Sequence, residues 1–241
     1  QGVDTAGHNI ANANTEGYSR QRVNLEQRSP SESRSVLIGN GVFVKNITRA
    51  HDKFLEKQLN NSNQDLGLSK AKHEAMKPLE EIYSPELNAS VSDEMDAFFT
   101  SLQDLSSFPE DVLVRSNVMD RADRVIGSFK RVDHSLKSFR SDINERIQGE
   151  AVEISTLLKD IATLNSAITT TERGDPREAS DLLDQQDLLL RNLTEKIDIN
   201  YYRGDRGMVV VRGPQETMLV ERDHAADVQV VKNTENGSGM Y

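Results

Sequence analysis

Five histidines, His8, His51, His73, His134 and His224, are the first candidates for acid–base or metal chemistry. No two lie three or four residues apart and no HExxH spacing occurs, so nothing sets paired imidazoles on one helical face as a zinc site requires. They read as solvated surface groups. Cys is absent, which removes thiolate nucleophiles, disulfides and zinc fingers together. Acidic pairs such as Glu80/Glu81 and Glu110/Asp111 are adjacent and diverge on a helix, whereas catalytic carboxylates converge across a cleft. Neither a phosphate-cradling glycine loop nor a GxSxG elbow is present. Arg203-Gly204-Asp205 matches a short adhesion tripeptide but reads as a hairpin turn. Asn46-Ile47-Thr48 and Asn192-Leu193-Thr194 fit the glycosylation triplet, a pattern frequent by chance. No catalytic residue, cofactor or metal is therefore assigned, and the chain reads as a non-enzyme.

The composition fits a different kind of work. The 241 residues carry 29 Lys and Arg against 39 Asp and Glu, a net charge of −10, which disfavours nucleic acid and anionic membranes as partners. Trp is absent, aromatics make up 5%, and 36% of residues are hydrophobic, so a compact aromatic core is not expected. Such a balance suits long helices that bury one stripe and wet the rest. Charge is uneven along the chain. Residues 1–57 hold eight basic and six acidic groups, and the remainder carries −12. No run reaches the ~18 apolar residues of a membrane span, and Gln1 to Asn14 lacks the apolar core of a signal peptide.

The elements follow from periodicity and punctuation. Gly7 to Tyr18, rich in Asn, Ala and Gly, reads as the fraying end of a helix, with Asn14 and Gly17 suited to left-handed backbone. Ser19 to Arg28 is extended, Ser29 to Ser33 is loop, and Gly39-Asn40-Gly41 turns into a short strand at Val42. An uneven helix runs from Ala50 to about Ile82, weakened by Asn60, Asn61 and Gly67, with Pro78 and Pro85 bounding a break. Asp93 to Leu105 is a short helix whose Met95, Phe98, Phe99, Leu102 and Leu105 fall on one face. Ser107-Phe108-Pro109-Glu110 has capping-box spacing.

The strongest signal comes next. Val118, Ala122, Val125, Phe129, Val132, Leu136, Phe139 and Ile143 alternate steps of four and three, an unbroken heptad seam. Ile147, Ala151, Ile154, Leu158 and Ile161 extend it with a stutter, which predicts a nearly straight helix of about 65 Å over residues 118–161. Bundle packing and self-assembly are both open to such a seam, and a fully buried Phe129 or Phe139 would be worth about 3–5 kcal/mol. Thr169-Thr170-Thr171 and Gly174 stop the helix, and Asp175-Pro176 starts another through Ile197. Ile199 to Tyr202, Met208 to Arg212, Thr217 to Val220 and Val228 to Val231 read as strands, the first two as a hairpin, and Asn236 to Gly239 as loop.

Motifs add what periodicity lacks. His8-Asn9-Ile10-Ala11-Asn12-Ala13-Asn14-Thr15-Glu16-Gly17-Tyr18-Ser19-Arg20-Gln21 closely resembles the signature of bacterial flagellar axial proteins. Gly39 to Val44 with Arg49 and Phe54 to Leu59, Met95 to Leu105, and Leu182-Leu183-Asp184-Gln185-Gln186-Asp187-Leu188-Leu189 resemble segments of the FlgK-type hook-associated family, with Gln186 standing where the family motif has Arg. The resemblance implies a structural role in the junction between hook and filament, formed by self-assembly into a ring. It implies the hook protein and a second, FlgL-type hook-associated protein as partners. It further implies an extracellular flagellar location, export through the flagellar apparatus without a cleaved signal peptide, and an export chaperone acting through a C-terminal region absent here. No cofactor is implied.

The fold expected is mainly α: an elongated bundle of long helices, a small β-hairpin near the N-terminus and the start of a β-rich domain at the C-terminus. Residues 1–28 form an axial N-terminal segment, 29–198 an elongated helical domain with a short hairpin, and 199–241 the opening of a middle domain. The resemblance assigns Asn9, Asn12, Asn14, Gly17, Tyr18, Arg20 and Gln21 to an assembly interface, and periodicity assigns Val118, Val125, Phe129, Val132, Leu136, Phe139 and Ile143 to a helix seam. Another rod or hook axial protein, or a coiled-coil adaptor that binds partner helices, is the alternative. The N-terminal segment has few large apolar residues, so residues 1–20 are expected to order only on assembly.

Overall fold

The computed structural model describes residues 2–29, 31–33, 36–38, 40–83, 90–171, 176–204 and 207–231. The readings placed on Gly39, Pro85, Gly174, Asp175, Asp205 and Asn236 to Gly239 lie outside them. The chain is mainly helical. In order it forms α1 (Gly2–Ala11), β1 (Gln21–Gln27), β2 (Ser31–Ser33), β3 (Val36–Ile38), β4 (Val42–Arg49), α2 (Lys53–Tyr83), α3 (Val91–Ser107), α4 (Val112–Thr171) and α5 (Pro176–Lys196). It closes with β5 (Asn200–Arg203), β6 (Val209–Arg212), β7 (Met218–Glu221) and β8 (His224–Ala225). None of the described helices is long and apolar enough to cross a membrane.

Two compact units result. The first takes residues 1–68 and 150–229. Its core is Ile154, Leu158 and Ile161 of α4, Leu190 and Leu193 of α5, and Val209, Val211 and Val220 of a four-stranded antiparallel meander ordered β5-β6-β7-β8. Here the extended seam does what its spacing demands, since Leu158 and Ile161 are fully buried. A two-stranded antiparallel ribbon pairs β1 with β4, Gln21 opposite Arg49 and Gln27 opposite Val42, with a bulge at Asn24/Leu25. The second unit takes residues 69–149 and 230–241. It holds the rest of α2, all of α3 and the first part of α4, with Arg146 paired to Glu74.

Several sequence expectations are corrected. Pro78 lies inside α2 and does not break it: a proline forfeits one backbone bond, and packing along the rest of a 31-residue helix outweighs that loss. The capping box belongs to Ser90 and Asp93, which bond each other's backbone N–H at the start of α3. Ser107 ends that helix, and Asp111 Oδ1 accepts from Leu113 N (2.8 Å) where α4 begins. Ser31–Ser33 is a strand paired to β3, not a loop. Val228 to Val231 is not a strand; the fourth strand is His224–Ala225, formed because Arg222 takes a left-handed conformation (φ 56°) that turns the chain back on β7. Gly17 (φ 80°) holds the left-handed position, while Asn14 does not.

The seam of the second unit is only half covered. Val118, Val125, Val132, Leu136, Phe139 and Ile143 are half-buried, and Phe129 is 54% exposed. Among the described residues every buried apolar side chain lies at or after Ala151. A groove of about 720 Å³ opens here, lined by Pro78, Ile82, Tyr83, Phe129, Val132 and Phe139. Phe129→Ala and Phe139→Ala are therefore expected to cost about 1–2 kcal/mol each, below the full-burial figure. Urea titration followed by circular dichroism measures this; a loss above about 3 kcal/mol would mean the seam is covered in solution.

Candidate assembly site at the N-terminal segment

α5 folds as a helix with two stripes. One is the core stripe, with Leu190 and Leu193 buried beside Gln186. The other sets Asp181, Asp184 and Asp187 at three-residue intervals, hence on one face. That acidic face receives the N-terminal segment and β4. Asp181 Oδ1 accepts from Gln21 Nε2 (2.9 Å), and its other oxygen lies 3.5 Å from His8 Nε2. Asp184 accepts from the Ser19 amide (2.9 Å) and from Arg49 Nη1 (2.6 Å). Asp187 accepts from Arg49 Nη1 (2.7 Å) and from Arg203 Nη2. The charged ends of Arg49, Asp184 and Asp187 are about nine-tenths buried, so each ion needs the others.

The segment is also tied to itself. Asn9 Nδ2 donates to the Gln21 carbonyl (3.0 Å) and Asn9 Oδ1 accepts from the Gln21 amide (2.9 Å), so one side chain imitates a strand partner. Tyr18 OH donates to the same Oδ1 (2.9 Å) and meets His8 Nδ1 (3.0 Å). Burial, with the nearby Asp181 and Asp184 charges, pushes the Tyr18 phenol up, so it stays a donor. Asn12 donates to the His8 carbonyl (3.0 Å). Asn14 and Arg20 are exposed. A Cβ built on Gly17 would meet Leu188 Cβ at 3.3 Å. The structure thus gathers Asn9, Tyr18 and Gln21 into one internal network with α5, seats Gly17 on Leu188, and leaves Asn14 and Arg20 at the surface. Gly17→Val combines that contact with disallowed backbone. It is expected to cost about 1–3 kcal/mol locally, read as faster amide exchange over residues 15–21 with the helical signal intact.

Sequence reasoning missed the partners. No local pattern links Arg49 to Asp184 and Asp187, Asp181 to Gln21, or Arg203 to Asp187, and Asn165 stands outside every motif named above. Asn165 is fully buried: Nδ2 donates to the Val209 (2.9 Å) and Arg222 (2.7 Å) carbonyls, and Oδ1 accepts from the Val209 amide (2.8 Å) and Gln186 Nε2 (2.9 Å). The signal existed, for residue 165 is four beyond Ile161 and so a polar residue on the seam. Gln186 Oε1 accepts from Arg203 Nη1 (2.6 Å), so a guanidinium reaches that spot from β5. Burial, then the like charge of Arg49, pulls Arg203 down to about 10.

His51 corrects the reading of all histidines as solvated. It is half-buried, with Nε2 2.7 Å from Glu56 Oε2 and Nδ1 3.9 Å from Asp187 Oδ2. His51, Glu56 and Asp187 lie close enough to hold a metal ion. However, Asp187 already neutralises Arg49 and Arg203, and a cation placed there would face two guanidinium groups. The cluster fits a docking joint better than a metal centre.

A helical scaffold that clamps a polar N-terminal segment onto an acidic helix face defines a structural class of protein. The family model for the flagellar hook-associated protein FlgK helical domain matches residues 76–240; the chain belongs to the FlgK hook-associated family. It is 32% identical over 234 residues to flagellar hook-associated protein 1 of Salmonella typhimurium, covering 96% of this chain and 42% of that protein. With the protein of the same name from Bacillus subtilis the identity is 28% over 226 residues, covering 91% and 44%. The chain thus spans less than half the length of these relatives. The solved structure of the flagellar hook junction protein FlgK from Burkholderia pseudomallei shares the fold, with TM-score 0.61 and 22% identity over 70% of this chain and 29% of that one.

Proposed function

We propose that the chain is a structural part of the external bacterial flagellum that joins hook to filament by self-assembly, without turnover of a substrate. The observation that carries this is the family match, joined to the axial-type segment His8–Gln21 seated on the acidic face of α5. In this reading Asn9, Gly17, Tyr18 and Gln21 shape the segment from within. Asn12, Asn14 and Arg20 meet neighbouring subunits. Its partners are further copies of itself, the hook protein and a second, FlgL-type hook-associated protein, and it is exported through the flagellar channel without a cleaved signal peptide. Strands β5 to β8, which share a core with α4 and α5, lead into a further β-rich domain.

Deletion of the gene should leave hooks without filaments and release filament subunit into the medium. Normal filaments in that strain would remove the junction role. A strain whose only copy carries Gly17→Val should reproduce the defect while the protein stays folded, whereas an adaptor that used only its helix seam would tolerate the change.

A further inference from the structure

Two helices run through the division between the units. α2 leaves the first unit after Leu68, and α4 enters it again at Glu150. Along most of both helices a covered side chain recurs every three or four positions, as in a helix packed on a neighbour. At the division that rhythm fails in both. Residues 68–74 of α2 and 145–150 of α4 are exposed at every position. Even Ile147, which the seam spacing points inward, is 40% exposed. Each stretch exceeds one helical turn, so no face of either is covered.

The holds on either side of these stretches are definite. In the first unit the last turn of α5 grips both helices. The Glu195 backbone lies against buried Gly67 of α2, and Lys196 pairs with Glu150 and Glu153 of α4 at 2.7 and 2.6 Å. In the second unit half-buried Ala75 and Asn144 resume the packing. The ion pair between Arg146 and Glu74 ties the helices there, but both groups are about half exposed and such a pair is a weak tie. The two bare stretches also differ in their own strength. Leu68, Lys70, Ala71, Lys72 and Glu74 are strong helix formers, so α2 holds by local propensity. α4 has Gly149, a far weaker helix former, and a Cβ built there meets nothing within 4 Å, so close packing does not call for the glycine.

We infer that residues 145–150 of α4, centred on Gly149, are a built-in bending point at which the two units move independently. Helical stability in proteins comes mainly from packing of a covered face, and this stretch has none. Its backbone bonds are open to water on every side, which is the condition for local opening well below the global unfolding energy. Arg146–Glu74 limits the motion without locking it, and α2 bends as the longer and stiffer partner. A subunit that joins two different structures gains from such a point, because each unit keeps its own packing while the helix between them takes up strain. That use rests on the junction reading; the bending point itself does not.

Two measurements on the 241-residue chain test it. The first is amide exchange. Amides 145–150 should be at least about tenfold less protected than amides 154–165 and 121–140 of the same helix. Gly149→Ala should raise protection at 145–150 about fivefold, the size of the propensity difference. The second is a spin-label distance. The chain has no cysteine, so introduced pairs label cleanly. His134→Cys with Thr156→Cys spans the bending point, and Asp120→Cys with Asp142→Cys lies on one side of it. All four positions are exposed, and circular dichroism checks that each variant folds. Both pairs are 22 residues apart, about 33 Å on a straight helix. The spanning pair should give the broader distribution, and adding Gly149→Ala should narrow it. Protection at 145–150 equal to that of the flanks, or a spanning pair as narrow as the control, would overturn the bending point. A broad spanning pair that Gly149→Ala leaves unchanged would remove Gly149 as its centre. Neither result bears on the deletion phenotype, so the bending point and the junction role fail separately.

Discussion

Arg49→Ala is expected to cost the first unit about 3–5 kcal/mol, because it leaves two buried carboxylates short of their shared cation. Arg49 sits at the end of β4 and donates to Asp184 and Asp187 at 2.6 and 2.7 Å, with only 10% of its side chain exposed. Once it is removed, Asp187 keeps Arg203, but among the described residues Asp184 keeps only the Ser19 amide. The carboxylate must then take up a proton or draw in water, and either route loosens the segment it holds. Arg49→Lys should recover part of the loss, since an ammonium restores the charge without the planar donor fork. Urea titration reads the stability. A double-mutant cycle with Asp184→Ala should show strong coupling, because the second change removes the uncompensated charge that the first creates. A loss below about 1 kcal/mol for Arg49→Ala would mean that water already reaches the site and that the clamp is not buried in solution.

The same joint shows what a sequence reveals and what it hides. The seam at Ile154, Leu158 and Ile161 was legible because apolar spacing is a property of one helix, and those residues form the core. The His8–Gln21 motif was legible as a pattern, but its partners were not. Gln21 reaches Asp181 across 160 positions, and Arg49 reaches Asp184 across 135. No local rule links residues so far apart. Asn60 failed in the opposite way. Helix propensity marks it as a weak residue, yet it is buried and donates to Tyr201 OH at 2.6 Å, so tertiary bonding overrides the local preference. Capping at Ser90 rather than Ser107 shows the limit of spacing rules, since both have an acidic residue three positions on and only the backbone decides which one is used.

Gly67→Ala should destabilise the first unit by about 2–4 kcal/mol, against the ordinary rule that Ala in place of Gly inside a helix adds up to about 1 kcal/mol. Gly67 is buried where α2 presses on α5, and a Cβ there would overlap the Glu195 carbonyl oxygen and stand 2.9 Å from its carbon. Those are backbone atoms, so no rotamer change relieves the clash. Glu195 itself is pinned, because the next residue, Lys196, pairs with Glu150 and Glu153 at 2.7 and 2.6 Å. α2 must therefore give way. Its Asn60–Tyr201 and Gln64–Ile199 bonds, at 2.6 and 3.0 Å, hold the start of β5 against the core and would stretch with it. Each such bond contributes about 0.5–1.5 kcal/mol. Gly149→Ala is the matched control. That glycine lies inside α4 with nothing within 4 Å of the added carbon, and its replacement should raise stability by up to about 1 kcal/mol. The contrast in sign between two glycines, each inside a long helix, isolates the close approach from intrinsic propensity. If thermal and urea unfolding moved both variants in the stabilising direction, the α2–α5 contact at Gly67 would not exist in solution, and the glycine would be only the weak helix former that its sequence context suggests.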